Sequence, residues 1–385
     1  MLGATGSIGR QTLEVVSARP ERYGITALSA GRDADGLARA VREFRPRYAA
    51  IADESAYPRL KALLAGTDTE ILVGAEGLTA AAALPETDVV VAAVVGFAGL
   101  ASTLAALEAG KTVALANKES LVAGGNLVAR ALQTLGAALV PVDSEHSALF
   151  QCLVGEKSEN VERLILTASG GPFRGKKRKD LENVTSQEAL KHPNWSMGAK
   201  ISIDSATLMN KALEIIEAQR LFALPGEKIA VVVHPQSIVH SCIEFCDGSI
   251  KAQMGLPDMR LPIAYALAYP ERLSLPFPRY DFFAQGPLTF EAPDKETFRS
   301  LDFAYEALRR EGNAPCALNA ANEAAVAKFL EEKISFLDIF EAVEEATANT
   351  TFIVEPNHFD LLETDREARA RVNAFRARRV VFSAI

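Results

Sequence analysis

The opening Gly3-Ala4-Thr5-Gly6-Ser7-Ile8-Gly9 constrains this chain more than any other stretch, because a glycine turn feeding a helix over residues 10–17 is a ready cradle for a pyrophosphate. Alone the motif is weak, since an ordinary glycine turn is spelled with the same letters. The alternation behind it raises its weight. Apolar runs at 25–29, 49–52, 89–95, 112–116 and 138–142 are separated by helical patterns such as 35–44 and 125–135. That rhythm predicts βα units and a mostly parallel sheet covered on both faces. The fold class is therefore α/β, with an N-terminal Rossmann-like doubly wound parallel sheet over 1–143. A strand should precede Gly3, yet only Met1 and Leu2 are there to supply it, so the expectation is a sequence that starts inside that strand and binds nucleotide less well for it.

The texture changes near residue 144. Strand-like runs at 165–166, 229–233 and 238–245 are separated by long polar or helical inserts, which predicts an α+β catalytic domain over 144–269. Residues 270–300 carry Pro270, Pro276, Pro278, Pro287 and Pro293 among aromatics, the composition of an extended linker. Helical spacing at 303–310, 319–330, 336–348 and 366–378 predicts a C-terminal helical domain over 301–385. With 49% hydrophobic and 23% charged residues, the chain is neither disordered, collagen-like nor a coiled coil. A formal charge of −8 offers no field to a nucleic acid, so any phosphate site has to be local. The uncharged stretch 89–107 divides into a β-branched run, a glycine turn and an Ala/Leu helix, and is read as no membrane span. Met1 and Leu2 run straight into the glycine motif with no basic region or apolar core, so no signal sequence is expected. Four cysteines without a C-x-x-C pair fit a reducing cytoplasm, with Cys242 and Cys246 as inert core or strand residues.

Several segments carry chemistry. The second strand ends Ser29-Ala30-Gly31-Arg32, where a guanidinium suits a ribose 2′-phosphate and favours NADP(H) over NAD(H); Asp33, next in line, argues the other way. The run 138–142 ends in Asp143-Ser144-Glu145-His146, two carboxylates at the carboxyl edge of a strand that invite a hard divalent cation, or else simply meet solvent. Asp204 and Ser205 read as a helix start, followed by a polar stripe of Thr207, Asn210, Lys211, Glu214, Glu217 and Ala218. On spacing alone that stripe is a solvated face with an internal Lys211–Glu214 pair; its amide, ammonium and hydroxyls also suit a phosphate, and Glu214 could be a third metal carboxylate. Ala116-Asn117-Lys118-Glu119-Ser120 and Ser169-Gly170-Gly171-Pro172 have the texture of site loops, and His192-Pro193-Asn194-Trp195-Ser196-Met197-Gly198 is either an apolar lid or a loop anchored by the one tryptophan. The basic run 174–179 reads as a solvated loop before a phosphate-steering one.

Taken together, residues 3–9, 116–120, 142–146, 169–173, 192–198, 204–207 and 209–211 closely resemble, in order and spacing, the 1-deoxy-D-xylulose 5-phosphate reductoisomerase family. His234-Pro235-Gln236-Ser237, Pro257-Asp258-Met259-Arg260 and residues 317–323 extend the resemblance over nearly the whole chain. It implies a cytoplasmic homodimeric oxidoreductase of isoprenoid precursor synthesis. The implied reaction rearranges 1-deoxy-D-xylulose 5-phosphate and reduces the resulting aldehyde with NADPH to 2-C-methyl-D-erythritol 4-phosphate, with Mg²⁺ or Mn²⁺. Carried over by motif, Asp143, Glu145 and Glu214 would hold the metal, and Lys118 and Ser144 would contact the substrate backbone. Ser169, His192, Ser205, Asn210 and Lys211 would hold its phosphate. Thr5, Gly6, Ser7, Ile8, Gly31, Arg32, Asp33, Ala93, Asn117, Glu119 and Gly198 would line the NADPH site, with Trp195 and Met197 on a mobile lid, Trp195 toward substrate and Met197 toward cofactor. The family often has a neutral Asn where Asp33 stands, a departure that weakens 2′-phosphate binding, and the basic 174–179 run matches no family role. Two other readings compete: an NADP-dependent semialdehyde dehydrogenase, which needs a cysteine nucleophile, and a non-catalytic NADP(H)-binding sensor, which needs no metal site.

Overall fold

The structure, a computed structural model, describes residues 1–195, 197–284 and 286–376. Its described residues form two compact units. One comprises Met1–Ser120, Asn126–Phe150 and Asp258–Arg279, the other Leu121–Gly125, Gln151–Pro257 and Tyr280 onward.

In the first unit β1 (Ala27–Ala30), β2 (Tyr48–Ile51) and β3 (Glu70–Val73) form one parallel sheet, and β4 (Val89–Ala92), β5 (Thr112–Leu115) and β6 (Ala138–Pro141) form another. All four residues of β1 are buried, as are the last three of β2, β4 and β5, which is the pattern of strands covered on both faces. Residues 1–4 do the work of the strand that was expected to be missing. Leu2 donates to Val91 and accepts from Ala93 on one side, while Ser29 donates to Met1 and Ala4 donates to Ser29 on the other. The stub thereby joins β1 to β4 and runs the two sheets together as β3-β2-β1-stub-β4-β5-β6. The order reverses between stub and β4, and a reversal of this kind opens a ligand crevice at the carboxyl ends of the strands. The short β3 carries a polar start and escapes a reading by apolar runs. Residues 258–279 pack back on this unit: Ile263, Ala264 and Ala266 share a core with Val15, Val91, Ala114 and Val140, and Leu275 and Phe277 lie against it.

The second unit holds β7 (Val161–Ala168), β8 (Ile229–Val233), β9 (Val239–Phe245) and β10 (Ile250–Met254) in the order β10-β9-β7-β8. Only β7 and β8 pair in parallel, so this is the mixed sheet expected of an α+β region. Its helices include Ser300–Arg310, Ala314–Leu330, Phe336–Asn349 and His358–Ala374, the last two opened by capping boxes at Ser335/Asp338 and Asn357/Asp360. The final helix starts well before residue 366, and Ala377 and Arg378 lie outside the described residues. No helix among the described residues is long and apolar enough to cross a membrane.

The helix boundary within the polar stripe also differs from the sequence reading. Asp204 and Ser205 do not start a helix; they end the helix Ala199–Ala206, and a new helix, Met209–Phe222, begins after Leu208 turns left-handed at φ 59°. Neither Gly nor Pro marks that break, so composition gives no sign of it.

Candidate active site

The glycine loop follows the stub directly. Gly3 has φ +83° and any Cβ there would stand 2.9 Å from the Ala93 carbonyl carbon, so the loop and the turn after β4 touch backbone to backbone. The helix Ser7–Ser17 then starts with no side-chain cap and no acid in its first turn, leaving the Ser7 and Ile8 N–H groups and a positive dipole end for an anion, while the Gly6 N–H donates to the Gly3 carbonyl at 3.1 Å and closes the turn. Gly31 and Arg32 are exposed just past β1. Asp33 is occupied: its Oδ1 accepts from the Gly36 N–H at 2.8 Å and caps the helix Ala34–Phe44. Asn117 is also committed, donating through Nδ2 to the carbonyls of Val94 at 2.5 Å and Gly96 at 2.9 Å and to Glu119 at 3.1 Å. Its Oδ1 accepts from Ser120, so Asn117 shapes the turn after β4 and caps the helix Lys118–Ala131; residues 118–120 are the first turn of that helix, not a loop.

Leu115 and Pro141 are paired in register at the ends of β5 and β6. Continuing each strand by two or three residues brings Lys118 Nζ to 2.6 Å from Asp143 Oδ2, with both side chains largely buried. His146, fully buried, lies with Nδ1 3.7 Å from Asp143 Oδ1. Burial alone would raise the Asp143 carboxyl, but the Lys118 ammonium and His146 outweigh it and hold Asp143 well below the ordinary carboxylate range. Asp143 precedes the helix Ser144–Leu153, whose N-terminal dipole favours both Asp143 and Glu145; Ser144 Oγ donates to Glu145 Oε2 at 2.7 Å.

In the second unit, Ser169 Oγ and His192 Nε2 are 2.8 Å apart. His192 Nδ1 accepts from the backbone N–H of Asn194 at 3.1 Å and of Trp195 at 3.0 Å, which places the ring proton on Nε2. Ser169 Oγ thus accepts from His192 and, at 3.2 Å, from Gly171 N–H, and its own proton is left to donate. Burial pulls His192 down to about 4, so the ring is neutral at physiological pH. Gly171, at φ +67°, could not carry a Cβ, which would lie 2.5 Å from the Ser205 carbonyl oxygen, so the Ser-Gly-Gly turn sits on Ser205. One turn further, Asn210 Nδ2 donates to Glu214 Oε1 at 2.5 Å and the Lys211 ammonium pairs with Glu214 Oε2. Lys211, Glu214 and Glu217 are buried, which overturns the solvated-face reading of this stripe. Trp195 is half-buried, its ring 6.2 Å from His240, and Asn194 ties the loop to Pro235 and Ser237. Met197 is half-buried and Gly198 caps the helix Ala199–Ala206; Ser196 lies outside the described residues.

The first unit therefore brings Lys118, Asp143, Glu145 and His146 together with the nucleotide-loop residues on one sheet edge, and offers Asp143 and Glu145 to a cation. The second gathers Ser169, His192 and Ser205, and separately Asn210, Lys211 and Glu214, and offers Glu214. Sequence reasoning took Asp204 for a helix start; it is instead buried, accepting from Asn322 at 2.8 Å and pairing with Lys200 at 2.9 Å. It also misplaced Cys246, which is exposed.

Family models described as 1-deoxy-D-xylulose 5-phosphate reductoisomerase, its C-terminal domain, and DXP reductoisomerase C-terminal domain match residues 1–125, 139–222 and 254–371. The enzyme of that name from Lachnospira eligens is 52% identical over 95% of this chain and 96% of its own length. That of a Geobacillus species is 53% identical over 97% and 98%. A solved 1-deoxy-D-xylulose 5-phosphate reductoisomerase from Zymomonas mobilis in complex with NADPH superposes with a TM-score of 0.90 at 48% identity, covering 97% of both chains. A DOX-P reductoisomerase in complex with NADPH, fosmidomycin and magnesium gives a TM-score of 0.90 at 44% identity, covering 97% of this chain and 96% of that one.

Proposed function

The chain belongs to the 1-deoxy-D-xylulose 5-phosphate reductoisomerase family, and from that premise we infer how its own residues carry out the NADPH- and divalent-metal-dependent conversion of 1-deoxy-D-xylulose 5-phosphate to 2-C-methyl-D-erythritol 4-phosphate. The observation that carries a catalytic reading, over a sensor that only binds nucleotide, is the buried Lys118–Asp143 pair. Burying two charges costs several kcal/mol per ion before their attraction is counted, and a nucleotide sensor gains nothing from them.

Asp143, Glu145 and Glu214 are the carboxylates that would hold the ion. They fit it: all three are hard oxygen donors suited to Mg²⁺ or Mn²⁺, and Asp143 is kept ionised by its surroundings. A divalent ion there supplies Lewis acidity toward the substrate's ketone and hydroxyl oxygens. Lys118 is placed to steady oxyanion charge or to carry a proton as the C–C bond is broken and remade, with Ser144 beside it on the substrate backbone. Ser169 donates its free hydroxyl proton to a phosphate oxygen, and neutral His192 fixes that hydroxyl's direction, so the positive charge facing the phosphate falls to Lys211, supported by Asn210 and Ser205. Thr5, Gly6, Ser7 and Ile8 would cradle the pyrophosphate of NADPH, the hydride donor, with Gly31, Arg32, Ala93, Glu119 and Gly198 around it. Arg32 is the 2′-phosphate partner, and Asp33 lines the same site with its charge intact, one oxygen capping the next helix. Trp195 and Met197 would close over the substrate and exclude water from the aldehyde. The functional division proposed is 1–143 for nucleotide, 144–269 for catalysis and dimerisation, 270–300 as connector and 301–385 as helical support. The proposed assembly is a cytoplasmic homodimer, which a sedimentation mass equal to one chain would overturn.

After dialysis against a chelator, the protein is expected to consume NADPH with 1-deoxy-D-xylulose 5-phosphate only when Mn²⁺ or Mg²⁺ is restored. Tight NADPH binding with no metal-dependent turnover would instead favour the sensor. The semialdehyde dehydrogenase reading fails on its nucleophile: Cys152 and Cys316 are buried thiols, Cys152 pushed by burial up to about 11 and Cys316 higher still. Cys152→Ser and Cys316→Ser are each expected to keep turnover within about twofold, and a thousandfold loss from either, the scale of a missing nucleophile, would restore that reading.

A further inference from the structure

The basic run 174–179 is largely exposed, as a solvated loop would be, but three of its side chains are paired. Arg174 Nη1 pairs with Glu291 Oε1 at 2.6 Å, Lys177 with Asp294 at 2.8 Å and Arg178 with Glu341 at 3.1 Å, partners more than a hundred residues away in the chain. Lys176 lies over the Phe173 ring, and Phe173 is buried edge-on against Phe336 at 5.0 Å. The run is a strap fastened at both ends.

Its first residue touches the phosphate turn. Gly170, at φ +84°, is roofed by the Arg174 stem and by Val233: a Cβ there would meet Arg174 Cδ at 2.8 Å and Val233 Cγ1 at 3.0 Å. Glu291, which holds the Arg174 guanidinium, is itself fixed to the end of β8 by two backbone hydrogen bonds with Val233, at 2.9 and 2.8 Å. Gly171 is pressed against the Ser205 carbonyl on the other side. Ser169 and its two glycines are therefore held between Ser205, Val233 and one arginine whose position is set by one glutamate.

We propose that Arg174 and Glu291 form a positioning pair that sets the Ser169–Gly171 turn for the substrate's phosphate, with Arg174 acting through the turn and not on the phosphate. The inference rests on the reading of Ser169 as a phosphate donor. Because both side chains of the pair are nearly half exposed, it contributes little to global stability, and its effect shows in substrate affinity.

The sign of the Glu291 effect separates positioning from attraction. If Arg174 attracted the phosphate directly, Glu291→Ala would release its charge and lower KM. Positioning requires the opposite: Glu291→Ala and Arg174→Ala should each raise the KM for 1-deoxy-D-xylulose 5-phosphate about five- to twentyfold, the cost of a misaligned hydrogen bond, with kcat within about threefold. NADPH affinity and melting temperature should not move, which shows the variants are folded. The double exchange Arg174→Glu with Glu291→Arg should recover most of the loss, and Arg178→Ala, further along the strap, should change nothing. An unchanged or lowered KM in Glu291→Ala, or an equal rise in Arg178→Ala, overturns the positioning role. Ser169→Ala is measured in parallel: if it leaves KM unaltered, the phosphate reading falls and takes this inference with it. If it raises KM while the Arg174 and Glu291 variants do not, only this inference falls.

Discussion

Asp143→Asn should lower kcat by about a hundredfold or more at saturating metal while the dissociation constant for NADPH stays within about twofold. The substitution keeps size and one oxygen but removes the charge that answers Lys118 across 2.6 Å of buried space. Two losses coincide. A hard cation loses an anionic ligand, and the Lys118 ammonium loses the carboxylate that fixes its direction toward the substrate. Breaking a buried pair from one side costs up to about 3–5 kcal/mol, so the melting temperature should fall as well, and kinetics belong well below it. Glu214→Gln should give the same metal-dependent loss from the second unit, because its carboxylate is also where Asn210 and Lys211 converge. The measurements that check this are the metal activation curve and nucleotide fluorescence on the same samples. A loss of NADPH binding in step with kcat would show that Asp143 serves the nucleotide loop and that the metal assignment is wrong.

What was legible in the sequence is what depends on local chemistry. The glycine turn, the β-branched runs of β4 and β5 and the acids just past β6 each declare themselves within a few residues, and the structure puts them where the alternation predicts. What depends on remote partners was not legible. Lys211, Glu214 and Glu217 read as one wet face of a helix because their spacing is that of a solvated stripe; only the packing around the Met209–Phe222 helix makes them interior. The basic run is the exposed loop its composition suggests, but its partners Glu291, Asp294 and Glu341 lie far along the chain and could not be read from it. That Asp33 caps a helix was likewise hidden until its carboxylate was seen to accept from the Gly36 N–H. The helix break at Leu208 has no glycine or proline to announce it, and the stub at residues 1–4 is too short to read as a strand without its two neighbours.

The stub also makes the glycine motif's three positions unequal, and this gives the second large effect. Gly9→Ala is expected to weaken NADPH binding about tenfold to a hundredfold and to lower the melting temperature. Gly9 is buried in the first helical turn facing the stub, and a Cβ there would run into the Gly3 carbonyl oxygen and stand 2.6 Å from the Ala4 carbonyl carbon. Backbone cannot rotate away as a side chain can. Gly3 and Ala4 cannot retreat either, because Leu2 and Ala4 are hydrogen-bonded to Val91 and Ser29 on either side. The helix must move instead, carrying the N–H groups meant for the pyrophosphate with it, at the upper end of the about 1–3 kcal/mol that overpacking costs. Gly6 is different: it is exposed, its φ of −74° suits any residue, and a Cβ would meet only the Gly3 oxygen, at 3.4 Å. Gly6→Ala should leave the melting temperature where it is, so any affinity it loses reports the ligand's approach and not the sheet. The KM for the sugar phosphate should be unchanged in both variants, since the groups proposed to hold the phosphate all belong to the other unit. If Gly9→Ala raised that KM and left NADPH affinity intact, the loop would not be the nucleotide site, and the cofactor would have to be sought elsewhere on the molecule.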